Sequence, residues 1–221
     1  MAAGLRERER IRDLFGRQVG REAARQALAV ENPELGGEVC DVAILFVDVV
    51  GSTELAAGRR PEEVVHLLNR FFAEVVEVID GHGGWINKFE GDAALAIFGA
   101  PFPHEGRHAA ALAAARDLDA RLRERVPELA AAIGVASGMV VAGHVGAESR
   151  FEYTVIGDPV NEAARLTELA KQHPSRVCAS GGTVAAAGVD RDGWELGESV
   201  TLRGRSEPTD VAHPRVAEVE A

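Results

Sequence analysis

Val42-Ala43-Ile44-Leu45-Phe46-Val47-Asp48-Val49-Val50-Gly51-Ser52-Thr53 decides the architecture. Its first six residues form an unbroken apolar run of strand formers, too short for a buried helix, and therefore read as a central strand. The run ends at Asp48 and a Gly-Ser-Thr turn, so a carboxylate stands at the C-terminal end of a hydrophobic strand.

Downstream of this strand the pattern switches period. Val64, Val65, Leu67, Leu68, Phe71, Phe72, Val75, Val76 and Ile79 recur at helical spacing, with Pro61 at a favoured first-turn position and Gly81 as the stop. A long helix packed on a sheet is expected there. Trp85 to Phe89 and Ala93 to Phe98 read as a hairpin turning at Glu90-Gly91-Asp92. An Ala-rich second helix is expected from Arg107 to Val126, a second hairpin around Gly138 joining Ile133–Ser137 to Met139–Val145, and a third helix from Asp158 to Lys171. Strand-like pieces then follow at Arg176 to Ala179, Trp194 to Leu202 and Asp210 to His213. The order gives an α+β fold, a ferredoxin-like sandwich on a βαββαβ core with an extra hairpin and C-terminal strands.

Upstream, residues 1–30 are charged and helix-prone, with Leu5, Ile11, Leu14, Phe15 and Val19 among many Arg and Glu. The turn-rich Asn32-Pro33-Glu34-Leu35-Gly36-Gly37 breaks that pattern. The expected division is a helical linker over residues 1–37, one domain over 38–215 and a tail over 216–221.

Composition narrows the function. The 221 residues, 46% hydrophobic and 27% charged, suit one globular domain with an appendage. Cys40 and Cys178 lie far apart with no CxxC partner, so neither a disulfide framework nor a zinc ribbon is available, and a reducing cytoplasm is expected. A formal net charge of -11 without a basic, aromatic-laced cluster disfavours nucleic acid. It does not disfavour a nucleotide, because a bound cation and a few placed Arg or Lys residues dominate the local field. No stretch approaches the roughly 20 apolar residues of a membrane span. An anchor upstream would put the domain on the cytoplasmic side of a membrane.

Two places carry chemistry. Asp48 stands at the C-terminal end of a strand and Asp92 follows a Gly turn between two others, so both can meet at one end of the sheet, where a carboxylate pair bridges divalent ions that also bind substrate phosphate oxygens. Each alone reads equally well as a turn former or cap. In Gly157-Asp158-Pro159-Val160-Asn161-Glu162-Ala163-Ala164-Arg165-Leu166, Asp158 suits an N-cap and Pro159 the first helical position. Asn161 and Arg165 then fall one turn apart on one face, as phosphate-facing donors or as an ordinary solvated face. His104 and His108 are four apart, but Pro103 and Gly106 interrupt the spacing and no third ligand accompanies them. Gly81-His82-Gly83-Gly84 reads as a turn, since it lacks the lysine and following helix of a phosphate loop.

Phe46-Val47-Asp48-Val49-Val50-Gly51-Ser52-Thr53, Asn87-Lys88-Phe89-Glu90-Gly91-Asp92 and Tyr153-Thr154-Val155-Ile156-Gly157-Asp158-Pro159-Val160-Asn161 through Arg165 together resemble class III adenylate/guanylate cyclase catalytic domains. The resemblance covers about residues 38–213, the span one domain should have. It implies an adenylate cyclase that makes 3′,5′-cyclic AMP and pyrophosphate from ATP with two divalent cations, Mg²⁺ or Mn²⁺. By the same resemblance, Asp48, Asp92 and the carbonyl of Val49 bind metal, Lys88 and Thr154 read the base, Asn161 orients the ribose and Arg165 stabilises the transition state. Arg203 or Arg205, and Arg150, fall where the family places cations on the phosphates. The implied partner is a second copy of the chain, because the family builds each site from two protomers, and a sensor domain upstream is compatible.

The Lys88 ammonium only donates, which suits the N1 acceptor of adenine and clashes with the N1–H of guanine. Thr154 Oγ1 can accept from the adenine amino group, but a hydroxyl also donates, so some leakage to GTP is expected. The competing reading is a non-catalytic, nucleotide-binding regulatory module; the presence of Asp48, Asp92, Lys88, Asn161 and Arg165 argues for activity. A diguanylate cyclase is disfavoured because no Gly-Gly-Asp/Glu-Glu-Phe signature occurs.

Overall fold

The computed structural model describes Arg10 and residues 35–215; apart from Arg10, the expected helix over residues 1–30 and the tail lie outside the described residues. The fold is α+β. Strand β1 (Gly36–Val49) is followed by helices α1 (Ser52–Ala57) and α2 (Pro61–Gly81), the hairpin β2 (Trp85–Glu90) and β3 (Ala93–Phe98), and helix α3 (Arg107–Arg125). Strands β4 (Ala131–Ala147) and β5 (Arg150–Ile156) precede α4 (Asp158–Ala170), β6 (Val177–Ser180), α5 (Gly181–Ala186), a 3-10 turn, β7 (Trp194–Val200) and β8 (Thr209–Pro214). The sheet runs β2-β3-β1-β4-β6-β8-β7, and β5 pairs with β4 off that path.

β1 sits at the centre because both of its faces are apolar. Ala43, Leu45 and Val47 enter a core with Leu67, Phe71 and Val75 of α2 and Leu112 and Leu118 of α3. Val42 and Ile44, of opposite parity, enter a second core with Ala163, Leu166 and Ala170 of α4 and with Trp85. The sheet is thus covered by α2 and α3 on one side and α4 on the other. Helix α2 begins with Pro61, whose fixed φ suits the first helical position, and with Glu62 and Glu63, whose charges favour the positive end of the helix dipole, and it buries one stripe from Leu67 to Ile79.

Two expectations are corrected. The hairpin around Gly138 does not exist: Ala131–Ala147 is one strand, which pairs antiparallel with β1 from Ala131 to His144. Gly138 takes φ 150° within the strand, and the chain reverses at Glu148-Ser149 into β5. Asp158 is not the N-cap of α4. Gly157 holds that position without a side-chain cap, and Asp158 is the first helical residue. Helix α5, capped by Ser180 Oγ accepting from Thr183 N at 3.2 Å, was not expected.

Candidate active site

Asp48 is the last polar residue of β1 and lies in register opposite Ala93 of β3. Asp92 immediately precedes Ala93, in a two-residue connection whose first member, Gly91, takes φ 67°. Glycine reaches that left-handed region without strain, and the tight turn delivers Asp92 to the end of the sheet beside Asp48. Burial pushes the Asp48 carboxyl above the usual carboxylate range, and the charges of Asp92 and Glu168 push the same way, against the hydrogen bond and charge of Lys171. Lys171, just past the end of α4, donates to Asp48 Oδ2 at 2.5 Å and to Glu168 Oε1 at 2.8 Å.

A half-buried acidic pair that draws in the nearest ammonium is a site that requires positive charge. Hard carboxylate oxygens suit Mg²⁺ or Mn²⁺. Among the described residues no group of three or more His, Cys, Asp or Glu side chains could hold a metal unaided. Two carboxylates therefore fit a cation that completes its shell with backbone and phosphate oxygens. Val49, the next residue of β1, is itself buried in the core.

Helix α4 buries Pro159, Glu162, Ala163, Leu166, Thr167 and Ala170, which leaves Asn161 and Arg165 exposed one turn apart. Its docking is tied to β1 by Thr167 Oγ1, which donates to Phe46 O at 3.2 Å. Asn161 precedes Lys171 by ten residues, which at 1.5 Å per residue is about 15 Å along the helix. The short Asn161 side chain therefore lies beyond reach of the Asp48 carboxylate of its own chain.

The looser arginine assignments separate. Arg205 is committed: it bridges Asp158 Oδ2 at 2.8 Å, the buried Glu162, and Thr209 Oγ1 at 3.2 Å, anchoring the start of α4. Arg203 and Arg150 are exposed. Lys88 and Thr154, 66 positions apart in sequence, are brought into one neighbourhood where β2 meets β5. Lys88 Nζ lies 3.0 Å from Glu152 and 3.9 Å from Glu90, and Thr154 is buried. Lys171, Glu152 and Asn87 were missed in the sequence. Asn87 had one signal, its place beside Lys88 in the quoted motif; the other two had none, because their significance comes from partners distant along the chain.

Residues 37–209 match the family model described as the adenylate and guanylate cyclase catalytic domain. An uncharacterized protein of Mycobacterium tuberculosis (strain H37Rv) is 59% identical over 215 residues, covering 97% of this chain and 40% of that protein. The chain thus spans about two fifths of the length of the curated relatives it matches. Among solved structures, the guanylyl cyclase Cya2 is 32% identical at TM-score 0.72, covering 80% of this chain and 93% of that one. The adenylyl cyclase CyaB from P. aeruginosa shares the fold at TM-score 0.75 and 23% identity, over 85% of this chain and 100% of that one. A bacterial light-regulated adenylyl cyclase shares it at TM-score 0.83 and 22% identity, over 96% and 63% of the two chains. With its acidic pair at the sheet end and its three motifs each on the element that suits them, the chain belongs to the family of adenylate and guanylate cyclase catalytic domains.

Proposed function

We propose that the domain converts ATP to 3′,5′-cyclic AMP and pyrophosphate at composite sites of a homodimer. The observation that carries this reading is a separation: Asp48, beside Asp92 at one sheet end, is held by Lys171 just past the C-terminal end of α4, while Asn161 lies ten residues, or about 15 Å of helix rise, from Lys171. One protomer then offers carboxylates, and its twin offers Lys88, Thr154, Asn161 and Arg165. A second support is a row of exposed apolar side chains across three strands. Val39 is 67% exposed, Val141 44% and Ile156 56%, and they are successive cross-strand neighbours on β1, β4 and β5, with Met139 beside them at 59%. Apolar surface on one sheet face, uncovered by helices of its own chain, suits a second copy related by twofold symmetry.

Asp48, Asp92 and the Val49 carbonyl would hold two divalent cations, Mg²⁺ or Mn²⁺, whose chemistry when bound is to lower the pKa of the ribose 3′-hydroxyl and to screen the triphosphate. The chain's own contribution is positioning and charge. Lys88 donates to adenine N1 and Thr154 accepts from the amino group, which sets the purine. Asn161 aligns the ribose for in-line attack on the α-phosphorus, and Arg165 meets the charge that builds there as pyrophosphate departs. Arg203 and Arg150 are the exposed cations left for the terminal phosphates. No side chain is required as general base.

GTP is the second reading. It is favoured by Glu152, whose carboxylate beside Lys88 offers an acceptor to the N1–H of guanine. Product analysis with ATP and GTP, on wild type and Asp92→Ala, tests both readings. Cyclic AMP from the wild type and none from Asp92→Ala is the expected result. Cyclic GMP as the main product would transfer the assignment to GTP, and no cyclic nucleotide with either metal would leave a regulatory module.

A further inference from the structure

Strand β2 carries a bulge. Ile86 pairs with Ala96 and Lys88 with Leu95, so Asn87 is an extra residue in the ladder. Bulges re-aim side chains, and this one lets consecutive residues both reach β5. Lys88 Nζ meets Glu152 Oε1 at 3.0 Å, Asn87 Nδ2 donates to Tyr153 O at 2.8 Å, and Thr154 Oγ1 donates to Asn87 Oδ1 at 3.0 Å.

Hydrogen-bond polarity fixes these directions without sight of a proton. A backbone carbonyl can only accept, so the amide nitrogen of Asn87 must face Tyr153 and its oxygen must face Thr154. An amide oxygen can also only accept, so the hydroxyl proton of Thr154 is spent on Asn87. Thr154 is 6% exposed, which leaves little water to which the hydroxyl could turn instead. What Oγ1 still offers is lone pairs.

We infer that Asn87 locks the Thr154 hydroxyl as a one-way acceptor and so makes the purine pocket selective for a ring amine over a ring carbonyl. The inference rests on Lys88 and Thr154 being the purine-reading pair. A 6-amino group facing Oγ1 completes a hydrogen bond. A 6-oxo group would set acceptor against acceptor, and rotating the hydroxyl to relieve that would strip Asn87 Oδ1 of its donor. Threonine's capacity to donate, which by itself would admit GTP, is thereby removed by a neighbour. Asn87 touches no nucleotide in this scheme; it is a positioning residue.

The test is kcat/KM for ATP and for GTP, measured in parallel on the full chain, for wild type, Lys88→Ala, Thr154→Val, Asn87→Ala, Asn87→Leu and the double variant Asn87→Ala/Thr154→Val. Asn87→Leu retains volume while removing both hydrogen bonds, which covers the case where the alanine variant folds poorly. The expected result is an ATP-to-GTP ratio lowered about tenfold by either Asn87 substitution, as for one mismatched polar contact. In the Thr154→Val background the same substitution should leave the ratio within about twofold, because no hydroxyl remains to be oriented. Equal losses toward both nucleotides at constant ratio would reduce Asn87 to a strap between strands and overturn the inference. So would an undiminished effect in the Thr154→Val background. If Lys88→Ala and Thr154→Val both leave the ratio unmoved, the purine-reading assignment falls and takes the inference with it. If they move it and the Asn87 variants do not, only the role of Asn87 is lost.

Discussion

Asp48 and Lys171 show how one contact changes the reading of a residue. In sequence Asp48 is an acidic residue after a strand; in the structure its carboxylate is held by an ammonium at 2.5 Å and stands next to Asp92. At the proposed metal site Lys171 and a divalent cation would compete for the same oxygens, so removing the ammonium should favour the metal. Lys171→Met is expected to tighten Mn²⁺ binding several-fold, read by isothermal titration without nucleotide; weaker binding would mean that Lys171 orders the site instead of competing for it. Among the described residues Arg165 forms no ion pair, and it is exposed, so under the proposed reaction it is available to meet a charge that develops at the transition state. Arg165→Ala should therefore lower kcat by about 100- to 1000-fold with little change in KM, measured by steady-state kinetics.

At the scale of elements, helix α2 was legible to the residue, because Pro61 opens it, Gly81 closes it and the apolar stripe repeats between them. Strand β5 was not. A glycine inside a strand pattern signals either a turn or a close approach, and Gly138 is of the second kind: an added Cβ would come within 3.2 Å of the Pro159 ring. The true turn, Glu148-Ser149, carries no strong turn chemistry of its own. Close approach also governs Gly134, where a Cβ would lie 2.2 Å from Ala163 O and 2.5 Å from Thr167 N. Gly134→Ala should push α4 off the sheet and cost about 3 kcal/mol in denaturant unfolding. It should also lower activity, since α4 carries both Asn161 and Arg165.

For the whole molecule, shared sites predict complementation. Asp48→Ala and Asn161→Ala chains should each be inactive, and mixed under conditions that allow exchange they should recover activity through one intact site; a mixture as inactive as its parents would refute the shared site. Met139→Glu, in the exposed apolar row, should yield a folded monomer without activity, seen by sedimentation and an unchanged Tm. Stability should also respond to acid. His173 stacks on His213 with ring centroids 3.6 Å apart, and burial, then His213, push its pKa below the ordinary 6.5. The folded chain thus binds this proton less readily than the unfolded chain. The penalty is absent well above pH 6.5 and grows as pH falls through that value toward the lower folded one, so Tm should drop as pH is lowered below about 6.5, and His173→Gln should flatten the drop.

The sequence alone determined the layered α+β fold and the family, because periodicity, helix-stop residues and short ordered motifs are written in neighbours along the chain. Tertiary structure decided which side chains meet: Asn87 with Thr154, Lys171 with Asp48, Arg205 with Glu162. Each of those pairs joins residues more than 40 positions apart, and electrostatics and hydrogen-bond polarity act across a few ångströms of space, whatever the separation in sequence.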